Sequence, residues 1–191
     1  MEYVLMIVAG VFVNNIVLNR FLGICPFLGV SNKLENAIGM SAAVVFVMTL
    51  ATSVTYLVYK YVLEPNGLGF MQTITYILVI AALVQVVEII LKKTSPALYQ
   101  ALGVYLPLIT TNCAILAVAI LVVQKNYNLV QSIVYAIATS LGFGFALIVF
   151  TGIREQLDLC NIPKGMKGVP LSLLTAGLLS LAFMGFAGIV K

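Results

Sequence analysis

The chain has 191 residues, of which 62% are hydrophobic and only 8% are charged, and its mean hydropathy is +1.15. Soluble globular domains carry about a quarter charged residues, so this composition excludes that class and predicts an integral membrane protein. The absence of histidine excludes histidine-ligated haem and histidine-bound metals, and the formal charge of +4 forms no basic stripe of the kind that binds nucleic acid.

Six apolar runs are long enough to cross a bilayer as helices, which requires roughly 20 residues each. They lie near residues 3–24, 38–61, 70–91, 98–123, 129–152 and 170–190. Lipid offers no hydrogen bonds to bare backbone, so the runs are expected to be helical. The sequence therefore predicts an all-α integral membrane protein with six transmembrane helices in a single membrane domain, residues 1–191.

The first and fourth runs contain residues that disturb a helix. In the first run the candidate break extends from Gly23 to Pro26, and in the fourth it lies at Pro107 together with Thr110 to Asn112. Each break adjoins a cysteine, Cys25 in the first run and Cys113 in the fourth. Irregular backbone at membrane depth survives only when it faces protein or a cavity. The two breaks are therefore expected to face each other or a partner.

Three crossings separate the two cysteine-bearing runs, and an odd number of crossings reverses the direction through the bilayer. Residues 1–95 and 96–191 are thus expected to form two inverted three-helix repeats with broken first and fourth helices, an arrangement that places functional sites near the midplane. An unbroken helix from Tyr3 would carry Cys25 about 33 Å, beyond the hydrocarbon core. A central position for Cys25 therefore requires tilt or a real break.

The basic residues are distributed unevenly between the two sides of the membrane. Seven fall at the first, third and fifth connections, namely Arg20, Lys33, Lys92, Lys93, Arg154, Lys164 and Lys167, and three fall opposite, namely Lys60, Lys125 and Lys191. The positive-inside rule predicts that the first group is cytoplasmic and that both termini lie outside the cytoplasm. Without Arg20 the count is still six against three.

Cys25 and Cys113 are the candidate functional residues. Thiolates are the soft ligands that select iron-sulfur clusters, zinc or monovalent copper. Two other interpretations stay open, because a free cysteine can simply be a small apolar residue in a packed helix and two cysteines can form a disulfide. Their matched positions in the two halves favour a metal or redox site. Iron-sulfur clusters generally take four cysteines, and Cys160 lies in a charged loop, so a partner subunit is expected to supply two ligands.

A group of polar residues lies inside the first apolar run. Asn14, Asn15, Asn19 and Arg20 indicate a buried partner or a cavity, because amides and charges are costly in lipid. The alternative for Arg20 is that its head group snorkels to the interface.

Two further patterns lie within the fifth run and directly after it. Ala138, Gly142 and Ala146 recur at four-residue spacing, which predicts close helix packing within this chain or against a neighbour. Arg154 and Glu155 follow this run and are expected to mark the end of its helix.

Several stretches resemble a known family. They are residues 14–18, 21–31, 93–99, 106–114, 175–178 and 182–186, of which the segment Pro-Leu-Ile-Thr-Thr-Asn-Cys ending at Cys113 is the most specific. They resemble the family of membrane proteins that includes the A subunit of the Rnf electron-transport complex and the related D and E subunits of the sodium-pumping NADH:quinone oxidoreductase. The resemblance extends from the first run to the last.

The resemblance implies six helices in two inverted halves and an antiparallel pair with a homologous partner, the E subunit in Rnf, beside the B, C, D and G subunits in a bacterial inner membrane. It implies one [2Fe-2S] cluster held within the membrane by two cysteines from each chain of the pair. Carried onto this sequence, the iron ligands are Cys25 and Cys113. The complex would pass electrons between reduced ferredoxin and NAD and couple this to movement of sodium ions or protons.

If a cluster is present, hydrogen bonds from Thr110, Thr111 or Asn112 to its sulfurs are expected to tune its potential. The sequence contains no nucleotide-binding Gly-rich motif, so chemistry at NAD or ferredoxin belongs on other chains. An autonomous secondary transporter with inverted repeats is the alternative function, and a metal-ion carrier is a third. In both of these no resident cluster is expected.

Overall fold

The computed structural model of the chain describes residues 2–94, 106–160, 163, 165–166 and 168–185, and the regular elements within them are helical. The α-helices are α1 (Glu2–Val8), α2 (Ile24–Gly29), α3 (Leu34–Val58), α4 (Glu64–Asn66), α5 (Gln72–Thr94), α6 (Leu106–Thr110), α7 (Cys113–Gln124), α8 (Leu129–Asp158) and α9 (Val169–Met184). The π-helical turn Ala9–Val13 extends α1, a second one at Tyr59–Leu63 joins α3 to α4, and a 3-10 turn at Gly69–Met71 precedes α5.

Four helical stretches in the described part of the chain are long and apolar enough to cross a membrane, namely Leu34–Asn66, Gly69–Ile90, Pro107–Gln124 and Leu129–Asp158. Two shorter apolar helices, Tyr3–Val13 and Val169–Met184, occupy the first and sixth predicted runs. Residues 98–105 and 186–190 of the fourth and sixth runs lie outside the described residues. An all-helical protein of the integral membrane class is confirmed, while six crossings in two inverted halves stay a prediction.

The first helix is broken, but not where the sequence indicated. The π-helical turn after α1 ends at Val13, residues 14–23 form no regular helix, and α2 begins at Ile24. Pro26 falls within the first turn of α2, where a missing N–H costs nothing because the first N–H groups of a helix have no partner in the helix. The break therefore ends at Gly23 instead of starting there.

The fourth predicted helix is broken at the expected place. Thr111 and Asn112 separate α6 from α7, and Asn112 is the N-cap of α7, with its Oδ1 accepting the N–H of Ala114 at 3.0 Å. The Thr111 hydroxyl donates to the carbonyl oxygen of Pro107 at 2.9 Å. The Asn112 side chain thus satisfies an N–H group that the break leaves without a helical partner, while the carbonyl oxygen of Pro107 also accepts the backbone N–H of Thr111 at 3.1 Å.

The longest helix, α8, lies at the centre of the fold, with α3 packed along it. The predicted small-residue stripe is confirmed as packing within this chain: a Cβ added to Gly142 would lie 2.9 Å from the carbonyl oxygen of Gly10, and one added to Gly10 would lie 3.2 Å from the Cβ of Ala138. Ala146 is also fully buried. Only small residues permit the π-helical turn after α1 to approach α8 this closely.

The prediction that Arg154 and Glu155 end their helix is wrong, because α8 continues beyond them. Arg154 Nη1 donates to the carbonyl oxygen of Leu28 at 2.9 Å and to Ser31 Oγ at 2.8 Å. Glu155 Oε1 accepts the N–H of Leu34 at 3.0 Å. The charged pair therefore binds the turn between α2 and α3, a tertiary role that a local sequence pattern does not reveal.

Candidate functional site

The broken first segment lies beside the middle of α8. Asn15 Nδ2 donates to the carbonyl oxygen of Gly142 at 2.7 Å, and a Cβ added to Gly23 would lie 2.9 Å from Cε2 of Phe143. The two ends of the segment from Asn15 to Gly23 therefore contact consecutive residues of α8, Gly142 and Phe143. Phe143 stands near the midpoint of that helix, about 21 Å from either end at a rise of about 1.5 Å per residue. The break thus holds the chain at mid-length of the longest apolar helix.

After Gly23 the chain continues beside α8 toward the C-terminal end of that helix. The ring of Phe27 stacks on that of Phe150 with centroids 4.3 Å apart, and the carbonyl of Leu28 reaches Arg154. The break in the first helix therefore determines the position along α8 at which α2 begins. Cys25 is the second residue of α2 and lies close to the midpoint of α8 for this reason.

Asn15 holds the irregular backbone in place. Its side chain is 1% exposed, and its Oδ1 accepts the N–H groups of Val17 at 3.1 Å and Leu18 at 3.4 Å. Ser180 Oγ on α9 donates to the carbonyl oxygen of Leu18. Buried backbone groups without helical partners must be satisfied by other groups. The expected buried partner of the polar cluster is therefore confirmed for Asn15, whereas Asn19 is exposed.

The two breaks contact each other. The backbone N–H of Gly23 donates to Cys113 Sγ at 3.3 Å. A Cβ added to Gly23 would lie 3.1 Å from Asn112 Oδ1 and 3.2 Å from the Cβ of Ala114. Gly23 has φ +79°, a left-handed conformation that glycine adopts without strain. Glycine is required here both by the backbone conformation and by the close approach of the second break.

The two predicted site cysteines therefore belong to adjoining segments. Cys25 follows Gly23 by two residues, and Cys113 receives the N–H of Gly23 on its sulfur. Both side chains are exposed in the chain considered alone. Cys113 is also the first residue of α7. The exposed thiols leave room for groups from outside the chain.

Asn112 presents an additional donor beside Cys113. The residue is 4% exposed, and its Nδ2 is buried without a hydrogen-bond partner in the described residues. A buried amide N–H without a partner costs free energy and is uncommon in native structures. This orphaned donor, together with the N–H of Gly23, is the chemistry expected beside an anionic sulfur site. The sequence indicated Asn112, but nothing in it indicated the backbone amide of Gly23.

Cys160 does not belong to this site. It follows the end of α8, and its Sγ lies 3.7 Å from the carbonyl oxygen of Gln156. About 22 Å of helix separate this end of α8 from the midpoint beside which Gly23 lies. In the described residues no group of three or more cysteine, aspartate or glutamate side chains could hold a metal ion. Cys25 and Cys113 are thus the thiol pair that the fold brings near one place.

A cavity of about 260 Å³ lies between the broken segment and the α7–α8 turn, and Asn14, Arg20, Lys125, Tyr127 and Tyr135 are among its lining residues. Asn14 and Arg20 of the polar cluster line this cavity but are exposed in the chain considered alone, so a buried environment for them, and the alternative of snorkelling for Arg20, stay predictions. Arg20 and Lys125, which the positive-inside count placed on opposite sides, line this same cavity. Arg20 is therefore not evidence for the predicted orientation, which stays a prediction.

Comparison with known proteins assigns a family. Residues 3–190 match the family described as "Rnf-Nqr subunit, membrane protein". The chain is 55% identical over 188 residues to the A subunit of the Na(+)-translocating ferredoxin:NAD(+) oxidoreductase complex of Acetobacterium woodii, covering 98% of each chain. It is 56% identical over 186 residues to the A subunit of the ion-translocating oxidoreductase complex of Syntrophotalea carbinolica, covering 97% of this chain and 96% of that one.

A third relative is the A subunit of the ion-translocating oxidoreductase complex of Vibrio cholerae El Tor Inaba N16961, which is 52% identical over 190 residues, with 100% of this chain and 98% of that one covered. The similarity is therefore not confined to the cysteine motifs. The family resemblance inferred from the motifs is confirmed over the whole chain.

Proposed function

This chain belongs to the Rnf-Nqr family of membrane protein subunits, and we propose that it serves as a membrane component of an ion-translocating ferredoxin:NAD oxidoreductase complex. The full-length similarity to subunits that carry this name supports the proposal. The observation that carries it is the contact between the two cysteine-bearing breaks, Gly23 N–H to Cys113 Sγ, at the midpoint of α8. An autonomous transporter would need no such pairing of thiols.

The proposed cofactor is a [2Fe-2S] cluster whose iron is bound by Cys25 and Cys113 and by two cysteines of a homologous partner, the E subunit of the complex. Two exposed thiols, the N–H donor of Gly23 and the orphaned amide of Asn112 fit an anionic iron-sulfur group. When bound, such a cluster supplies a one-electron relay. The chain itself offers half of the usual four ligands, so the site is complete only in the pair.

The residues around the thiols would position and tune the site. The Gly23 N–H lowers the cost of negative charge on Cys113 Sγ in a region of low dielectric, and the unpaired Asn112 amide would add a second donor to a bound cluster. Asn15 and Arg154 hold the two ends of the segment that carries Gly23 and Cys25, through Gly142 and Leu28 respectively. Their role is to keep the sulfur ligands at a fixed depth.

We place the remaining functions on other chains of the complex, the B, C, D and G subunits, which would bind ferredoxin, NAD and flavins. Reduction of a buried site adds negative charge, which would attract a cation and so couple electron transfer to movement of sodium ions or protons. Cluster potentials that are identical over a wide range of sodium and proton concentrations would argue against this coupling. We further propose a bacterial inner membrane with both termini outside the cytoplasm, on the six-to-three distribution of basic residues.

The test is electron paramagnetic resonance of the purified, reduced complex together with its iron content. The complexes with Cys25→Ser and with Cys113→Ser should each lose the [2Fe-2S] signal of this pair of chains. Cys160→Ser is the matched control, since it removes a thiol from the same chain far from the site, and it should retain the signal. Retention of the signal in both site variants would refute the ligand assignment, and a wild-type complex without any such signal would favour a transporter.

A further inference from the structure

The proposed electron relay does not require the cavity between the broken segment and the α7–α8 turn, because none of its lining residues is a cysteine. Its volume of about 260 Å³ is ample for a phosphate group. Arg20 reaches it from the break, and Lys125 reaches it from the end of α7. The cavity therefore extends from the turn toward the midpoint of α8.

The charge in this cavity is uncompensated by the protein. It is lined by the two basic residues Arg20 and Lys125, and none of the described residues that line it is acidic. The ammonium of Lys125 lies 5.0 Å from the ring centroid of Tyr135 and 5.6 Å from that of Tyr127, contacts that orient it by cation–π attraction without neutralising it. Arg20 and Lys125 are both exposed in the chain considered alone, and two positive charges that line one cavity attract an anion, so an anion is the expected occupant.

The remaining lining suits a phosphate-bearing group. A guanidinium donates two parallel hydrogen bonds to phosphate oxygens, and an ammonium acts as a point charge. Asn14 adds a side-chain amide, and Tyr127 and Tyr135 add phenol groups. A sodium ion or another cation would be repelled here, so the cavity is unsuited to be the cation pathway.

The lining of the cavity also includes apolar side chains. Leu5 and Met6 of α1 line it, and Leu5 is 61% exposed on the outer surface of the fold. A phosphodiester head group could occupy the basic end while an acyl chain lies along α1. Basic pockets between transmembrane helices bind acidic lipid head groups in this manner.

We propose that this cavity is a binding site for a phosphate group, either of an acidic phospholipid or of free phosphate, held between Arg20 and Lys125. The proposal is independent of the cluster, because none of its residues is a thiol or a donor to one. A complex that lacks the cluster signal should still bind the anion.

The experiment uses the purified complex in nanodiscs of phosphatidylcholine, with or without phosphatidylglycerol, and a further arm with inorganic phosphate. Retained phosphatidylglycerol is counted by native mass spectrometry, and the thermal midpoint of the complex is measured in each arm. The test variant is the double substitution Arg20→Gln with Lys125→Gln. Lys60→Gln is the control, because it removes one positive charge from the end of α3 without lining this cavity.

Phosphatidylglycerol is expected to bind the wild-type and Lys60→Gln complexes and to raise their thermal midpoints. The double variant should bind at least about tenfold more weakly, because it loses two charge-assisted contacts. Stabilisation by phosphatidylglycerol alone identifies a lipid, and stabilisation by inorganic phosphate as well identifies a free-anion site. If the double variant does not assemble, Lys125→Gln alone should show a partial loss.

Two results would overturn the proposal. One is equal binding of phosphatidylglycerol and phosphate by the wild type and the variants. The other is an experimental map of the complex in which a carboxylate of a partner chain pairs with Arg20 and fills the cavity.

Discussion

Replacement of Gly23 by alanine tests whether the two breaks depend on each other. A non-glycine residue in the left-handed region costs about 1–2 kcal/mol, and Gly23 has φ +79°. The new Cβ would also lie 2.9 Å from the Phe143 ring, 3.1 Å from Asn112 Oδ1 and 3.2 Å from the Cβ of Ala114. Overpacking of this kind costs about 1–3 kcal/mol. The free energy of unfolding should therefore fall by roughly 2–5 kcal/mol.

Two other glycines separate these contributions. Gly67 also has a left-handed φ, +64°, but no atom lies within 4 Å of its ideal Cβ, so Gly67→Ala should show the backbone cost alone, about 1–2 kcal/mol. Gly142 is helical and crowded by Gly10 and Val11, so Gly142→Ala should show overpacking offset by a gain of about 1 kcal/mol in helix propensity. The three costs are compared by titrating the purified complex with SDS and following the loss of helical circular dichroism.

The same substitution should disturb the thiol site, because the N–H of Gly23 donates to Cys113 Sγ. The complex with Gly23→Ala should contain less cluster iron than the complex with Gly67→Ala at equal folded fraction. The reasoning is refuted if Gly23→Ala destabilises no more than Gly67→Ala and leaves the iron content unchanged.

Three further predictions concern single side chains. Asn15→Ala leaves the backbone N–H groups of Val17 and Leu18 without partners and should cost at least about 2 kcal/mol in the same SDS titration, whereas the exposed Asn19→Ala should cost less; equal losses would contradict the role of Asn15. Asn112→Ser keeps an N-cap acceptor but removes the orphaned Nδ2 donor, so it should lower the cluster potential by about 20–60 mV in a redox titration. The control Thr111→Ser should leave that potential unchanged, and an unchanged potential in Asn112→Ser would exclude donation from its amide. Cys160 should react with a membrane-impermeant maleimide in inverted vesicles but not in intact cells, and the opposite result would reverse the proposed orientation.

The fold class could be predicted from composition because the constraint is general. A chain that is 62% hydrophobic and 8% charged must satisfy its backbone internally in lipid, and only helices do so along apolar runs of this length. The position of the second break was also local information, since Asn112 caps α7 through the N–H two residues away. The first break was misplaced because Asn15 holds it through Gly142, 127 residues further along the chain.

Composition and motifs were sufficient to predict that the protein is helical and apolar, that it belongs to a family of membrane subunits, and that each of two thiols adjoins a disturbed helix. That these thiols lie near one place follows from the folded chain alone, because the hydrogen bond from Gly23 to Cys113 joins residues 90 positions apart, and local patterns carry no information at that separation. Tertiary structure likewise joined Arg20 to Lys125 in one cavity. The break in the first helix places residues 14–23 beside the middle of α8. This position allows both the contact of Gly23 with Cys113 and the cavity that Arg20 and Lys125 share.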